Sequence, residues 1–370
     1  MTRDLLTPLA RALPASVPFV GPEAAERARG RGFAARLGAN ECVFGPSPRA
    51  LDAMRAAASE AWMYGDPESY DLRTALAAHL ACEADEVVVG EGIDGLLGYL
   101  VRLVVGPGDR VVTSDGAYPT FNYHVTGFGG EIVTVPYRDD AADLEALSDA
   151  AHVAQAKLVY LANPDNPMAS WHDAVAVRAF LDRLPEDCLL ILDEAYVEFA
   201  PEGTAPAIDC NDARLIRMRT FSKAYGMAGM RVGYAFGHRD LIRAFEKVRN
   251  HFGMSRVSQA AALAALADTD WLDTVRTAAA RSREGIARIA REAGLTPLPS
   301  ATNFVTIDCA SDAAFARAVL DALIAQDIFV RKPFAAPGDR CIRISCGTHD
   351  DLARLKSALP IALAEARDGD

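Results

Sequence analysis

Between about residue 85 and residue 235 the chain repeats one pattern, a short aliphatic or β-branched run followed by a longer stretch with helical spacing. The runs are Val87-Val88-Val89, Arg110-Val111-Val112, Ile132 to Val135, Leu158 to Leu161, Leu189 to Leu192, Leu215 to Met218 and Val232 to Ala235. A strand with one wet face alternates polar and apolar residues. These runs are nearly continuous in apolar character, so both faces must be covered. Such strands alternating with helices predict an α/β fold, a mostly parallel mixed sheet with helices on both faces.

The chain has 370 residues, enough for a large domain and a smaller partner. Its texture changes after about residue 250. An Ala- and Arg-rich helical stretch runs from Ser258 to Glu292, with a break expected near Asp268 to Asp270. Strand patterns follow at Asn303 to Ile307, Ile328 to Arg331 and Cys341 to Ser345, with a helix between the first two. His349 to Arg367 then reads as an amphipathic helix. The expected division is an N-terminal arm over 1–32, a large domain over 33–250 and a smaller α+β domain over 251–370. Ser47-Pro48 should open a helix in the second of these, with Ser as cap and Pro at the first helical position.

Chemistry concentrates around one lysine. Thr220-Phe221-Ser222-Lys223 is followed by Gly226, Gly229 and Arg231, and Asp193-Glu194-Ala195-Tyr196 closes the run Leu189 to Leu192. Each residue type meets one need of a phosphorylated aldehyde cofactor. Lys223 can form a Schiff base, Ser222 and Arg231 can hold a phosphate, Asp193 can pair with a protonated pyridine nitrogen, and Tyr196 can hydrogen-bond a phenolate oxygen. Singly each is weaker: an Asp capping a strand end, or a solvated lysine in a turn. Together they point to pyridoxal 5′-phosphate (PLP).

Gly90-Glu91-Gly92-Ile93-Asp94-Gly95 lies between a strand and a helix and also satisfies the dinucleotide fingerprint G-x-G-x-x-G. That reading wants an acidic ribose ligand about twenty residues on, closing the next strand. Asp109 and Asp115 are the candidates, but Asp109 sits in the turn before that strand. A nucleotide also leaves Lys223 and Asp193 without a role. The loop reads as a phosphate cup at a helix N-terminus. Asn163 to Pro167 could present a side-chain amide to the phenolate oxygen or could be a plain Asn-Pro turn. Tyr118 could stack on the pyridine or be a structural aromatic, and Arg343 could clamp an anion or serve a salt bridge.

Composition excludes other classes. The net charge of −12 argues against nucleic-acid binding. The seven cysteines are scattered, odd in number and never in a C-x-x-C pair, and the seven histidines show no metal spacing, so no metal site is expected. No stretch reads as a signal peptide or a membrane span, and a cytoplasmic protein is expected.

At this point the residues match a family. The chain resembles the fold-type I, class I/II PLP-dependent aminotransferases, and most closely their histidinol-phosphate aminotransferase branch, over Phe19 to about Leu359. The markers are Ala39-Asn40-Glu41, Tyr64-Gly65-Asp66-Pro67, Gly92-Ile93-Asp94, Asn163 to Pro167, Asp193 to Tyr196, Ser222-Lys223 with Arg231, and Arg343-Ile344-Ser345. The resemblance implies an aspartate-aminotransferase-like fold and ping-pong amino transfer with glutamate as donor. It makes Lys223 the Schiff-base lysine and proton carrier, Asp193 the partner of the pyridine nitrogen, and Tyr196 and Asn166 the contacts of the phenolate oxygen. Tyr118 would stack on the ring. Ser222, Arg231, Ile93 and Asp94 would hold the phosphate, and Tyr64 would reach the phosphate of a neighbouring subunit in a homodimer with shared sites. Arg343, Arg331 and Asn40 would bind substrate.

There are departures. Asn166-Pro167-Met168-Ala169 stands where the family has Asn-Pro-Thr-Gly, Phe19 stands where the branch often has Tyr, and Gly95 replaces an acidic residue. They leave the acceptor open between imidazole-acetol phosphate and an aromatic oxo acid. The rival within the same fold is a decarboxylase of the threonine-phosphate type.

Overall fold

The computed structural model describes residues 5–15 and 21–368. Phe19 and Val20, part of the N-terminal departure, lie outside the described residues. Twelve strands are present among them: β1 (Ala35–Arg36), β2 (Val87–Gly90), β3 (Arg110–Ser114), β4 (Glu131–Val135), β5 (Leu158–Ala162), β6 (Leu189–Asp193), β7 (Leu215–Thr220), β8 (Gly233–Gly237), β9 (Thr296–Pro297), β10 (Phe304–Asp308), β11 (Ile328–Phe329) and β12 (Cys341–Ser345).

All seven apolar runs join one sheet in the order β2-β8-β7-β6-β5-β3-β4. Strands β3 to β7 pair in parallel, and β8 lies antiparallel between β7 and β2. Both faces are buried, as continuous apolar strands require. Val112, Val159, Leu161, Leu190 and Leu192 face Leu147, Ala151, Val177 and Phe180 of the helices Leu144–Ala154 and Ala174–Arg183. Val111, Leu158, Ile191, Ile216 and Met218 face Leu96, Leu97, Leu100 and Phe121 of the helices Gly92–Val104 and Pro119–Gly127. Position β2 also disposes of the dinucleotide reading, because that strand sits at the sheet edge beside an antiparallel neighbour.

The C-terminal unit holds the antiparallel sheet β12-β10-β9 and the parallel pair β1-β11. Its core gathers Val305, Ile307, Val319, Leu323, Ile342, Ile344, Leu355 and Leu359. The expected helix break is present, between the helices Arg256–Leu266 and Thr269–Glu292.

Packing divides the chain at other points than the change of texture does. Ala35 and Leu37 belong to the C-terminal core. Ala261, Ala262 and Ala265 pack instead with Leu72, Leu76, Phe221 and Tyr234 of the large unit. The helix Thr269–Glu292 bridges the two, with Val275 and Ala279 beside Tyr196 and with Ile286 and Ile289 in the C-terminal core. In the arm, the helix Pro22–Arg29 is tied to the C-terminal unit where Arg29 and Arg31 pair with Asp327.

Candidate active site

Parallel strands deliver their C-terminal ends to one edge of the sheet, and here three central strands end on the chemistry read from the sequence. Strand β5 leads into Asn163 to Pro167, β6 ends at Asp193, and β7 leads into Phe221-Ser222-Lys223. Above that edge is a cavity of about 630 Å³. Asn40, Ile93, Asp94, Tyr118, Asn166, Asp193, Tyr196, Ser222, Lys223, Arg231, Arg331 and Arg343 all line it. Tyr64 does not. It is 77% exposed and rests its ring on Phe252 at 4.9 Å.

Asp193 lies on the cavity floor, 5% exposed. Tyr160 Oη donates to it at 2.6 Å and the Ala195 amide at 2.9 Å. Among the described residues no cation pairs with it, and burial pushes its carboxyl up to about 6. Lys223 Nζ lies 5.5 Å from the Tyr196 ring centroid and donates to the Asn40 carbonyl at 3.2 Å. Asn40 Nδ2 donates to Tyr196 Oη at 3.2 Å.

At the other end of the cavity the helix Gly92–Val104 begins, and its first N–H groups have no partner within the helix. Arg231 Nη1 donates to Ser222 Oγ at 3.1 Å, and Thr220 Oγ1 donates to the same oxygen at 2.9 Å. Gly92 has φ +76°, and a Cβ there would overlap the Arg231 guanidinium. Gly233 brings β8 so close that its Cβ would meet the Gly92–Ile93 backbone at 2.7 Å. Glycine at both places keeps the cup open for Arg231.

Two guanidinium groups, Arg343 and Arg331, line the cavity with Lys223. Arg343 stacks over Phe304 at 5.2 Å, and its Nη1 donates to Asn166 Oδ1, which leaves the Asn166 NH2 to donate elsewhere. Arg343 Nη2 donates to Gly38 O at 3.3 Å, while buried Nε has no partner among the described residues. Burial pushes Arg343 down to about 10, so it remains a cation at neutral pH, and burial lowers Arg331 as well. Beside Asn166, Met168 is buried and its amide donates to Asp165 at 2.8 Å. Ala169 takes φ +67°, a backbone that suits the glycine expected there.

The set fits PLP on the structure's own terms. A buried carboxylate without a cation suits a protonated ring nitrogen, a helix N-terminus with Ser222 and Arg231 suits a phosphate, and a lysine lies between them.

The family description "Aminotransferase class I and II" matches residues 35–359. The chain belongs to that family. It is a PLP-dependent transaminase. A histidinol-phosphate aminotransferase from Sinorhizobium meliloti, solved in complex with pyridoxal-5′-phosphate, is 54% identical, covers 98% of each chain and superposes with a TM-score of 0.95. Histidinol-phosphate aminotransferase 1 of Nitrosococcus oceani is 34% identical over 93% of both chains. An aromatic amino acid aminotransferase of Mycolicibacterium paratuberculosis is 34% identical over 84% of this chain and 91% of that one. Transaminase names of this kind favour amino transfer over the decarboxylase alternative.

Some functional groups escaped the sequence reading. In the sequence Tyr160 is one more residue of an apolar strand, yet its hydroxyl holds Asp193. A Tyr in a fully buried strand needs a partner for that hydroxyl, and the strand ending at Asp193 is next door. Glu194 is paired in the core with Arg217 at 2.6 Å and Arg219 at 2.8 Å. Two arginines on a buried strand beside Asp193-Glu194 were the available signal.

Proposed function

We propose that this transaminase exchanges an amino group between glutamate and imidazole-acetol phosphate, as a cytoplasmic homodimer. The observation that supports this acceptor best is that Arg343 and Arg331 line the cavity with Lys223, with Arg343 Nε buried and without a partner among the described residues. A phosphate on the acceptor and a distal carboxylate on the donor are the anions such a pocket would serve. The 54% identity to the Sinorhizobium meliloti enzyme supports the same branch.

In this reading Lys223 anchors the cofactor, Asp193 pairs with its ring nitrogen, and Tyr196 and Asn166 contact its phenolate oxygen. Tyr118 stacks on the ring, and Ser222, Arg231, Ile93 and Asp94 hold the phosphate. PLP, when bound, supplies a protonated ring that draws electrons from the substrate Cα–H bond. Lys223 Nζ, held by the Asn40 carbonyl, would take the Cα proton. Arg343 and Arg331 orient the substrate anions, with Asn40 alongside. Tyr64, exposed beside Phe252, serves the phosphate of the partner subunit.

A half-reaction screen tests the proposal. Histidinol phosphate and glutamate should each bleach the bound-cofactor absorbance, and Lys223→Ala should lack that absorbance and all turnover. Bleaching by phenylalanine or tyrosine but not by histidinol phosphate would select the aromatic alternative, which the Mycolicibacterium relative supports.

A further inference from the structure

Outside the active-site cavity one cluster combines soft and hard metal-ligating atoms. Cys82, Glu86 and Cys210 each offer a ligand atom within 4.8 Å of the other two. Cys82 follows the helix Tyr70–Leu80 after a reversal at Ala81, where φ is +55°. Glu86 closes the turn Ala84–Glu86 just before β2, and Cys210 lies in the segment leading into β7. Glu86 and Cys210 are each 7% exposed, whereas Cys82 is half-buried and gives the cluster an entry from solvent. None of the three lines the active-site cavity.

The three groups are already neighbours. Glu86 is fixed from behind, with Oε2 accepting from the Glu83 amide at 3.0 Å and Oε1 from Arg239 Nη2 at 3.3 Å. A ligand carboxylate oriented by an outer hydrogen bond is the usual construction of a metal site. A tetrahedral zinc-type ion, with bonds of about 2.3 Å to sulfur and 2.0–2.2 Å to oxygen, holds its ligand atoms roughly 3.5–4 Å apart. Separations under 4.8 Å reach that with side-chain adjustments alone.

We propose that Cys82, Cys210 and Glu86 bind one thiolate-seeking divalent cation of the zinc type. On binding, each thiol releases its proton to water and two metal–sulfur bonds and one metal–oxygen bond form. Two thiolates and one carboxylate exceed the charge of the cation by one negative charge, and the Arg239 guanidinium beside Glu86 offsets it. A water completes the tetrahedron. Lying apart from the cavity, the ion would tie the segment before β7 to the start of β2 and act on stability rather than on chemistry. The sequence showed no spacing for such a site because Cys210 is remote along the chain from Cys82 and Glu86.

The experiment uses reduced, PLP-saturated enzyme stripped of metal by chelator and titrated with Cd2+, whose thiolate complexes absorb in the near ultraviolet. The expected result is one Cd2+ per chain, displaced by Zn2+, with no band in Cys82→Ser/Cys210→Ser and unchanged transaminase turnover in that variant. Arg239→Ala should weaken binding by about tenfold. If the double variant fails to fold, Cys82 alkylation is read by mass spectrometry, and Zn2+ should protect the half-buried thiol in the unaltered enzyme. Absence of a band, a band that survives the double variant, or no protection would overturn the proposal. So would loss of both thiols with a mass lower by two hydrogens, which would make the pair a disulfide.

Discussion

Lys223 Nζ donates to the backbone carbonyl of Asn40 at 3.2 Å, and that carbonyl also accepts from Asn303 Nδ2 at 3.1 Å. Asn40 holds this place with φ +55°, its amide donating to Tyr196 Oη and its Oδ1 accepting from Ser345 Oγ at 2.9 Å. Asn40→Ala should strip both side-chain bonds and force Ala into a left-handed backbone. The expected loss is about 1–3 kcal/mol of stability, read by urea denaturation, with a fall in kcat larger than any change in KM.

Burial raises Asp193 to about 6. A carboxyl with a raised folded pKa favours folding most when it is protonated. The apoenzyme should therefore lose stability as pH rises from about 4 to about 6. A cationic ring nitrogen over the carboxylate opposes the shift, so the PLP-bound enzyme should lack that loss. Thermal midpoints of the two forms across this range check it, and parallel curves would count against Asp193 as the ring partner.

Glu194 is buried between Arg217 and Arg219, which hold its carboxyl below the usual range despite the cost of burial. Glu194→Ala leaves the two buried guanidinium groups without the carboxylate that bridges them. Stability should fall by about 3–5 kcal/mol, measured by chemical denaturation.

Arg343→Lys replaces a planar fork with a point charge and abandons Asn166 and Gly38. Loss of one charge-assisted bond, about 1.5–3 kcal/mol, predicts a rise of roughly 10–100-fold in KM for the anionic substrates. Steady-state kinetics with donor and acceptor varied separately measure it.

Tyr64 stands outside the cavity of its own chain, 77% exposed. If it completes the partner's site, Tyr64→Ala chains mixed with Lys223→Ala chains should regain activity. Such a hybrid dimer pairs one doubly defective site with one intact site. No recovery on mixing, with dimers confirmed by sedimentation, would show that the sites are not shared.

The large sheet was legible because strands covered on both faces leave an unbroken apolar signature, and all seven runs fall within it. The site was legible where residue chemistry is distinctive, as at Lys223, Asp193 and Arg231. What stayed hidden depends on contacts between remote segments. Thr296–Pro297 pairs at a sheet edge where Pro masks the strand pattern. The pattern of Ile328 to Arg331 suits one strand, but β11 stops at Phe329, and Arg331 meets Arg343 through an isolated bridge. The unit borders shifted because Ala-rich helices look alike whichever core they enter. Asn303 and Ser345 acquire a part in the site only by touching Asn40, which no local pattern encodes.

That last contact has a consequence for biosynthesis. Ser345, at the end of β12, donates its amide to the Leu37 carbonyl and anchors Asn40 through its hydroxyl. The carbonyl that meets Lys223 is thus steadied by a strand translated more than a hundred residues after that lysine. A chain still on the ribosome can complete the large sheet, yet it lacks the hydroxyl that fixes Asn40. Competence for transfer should therefore switch on late, when β12 emerges and docks.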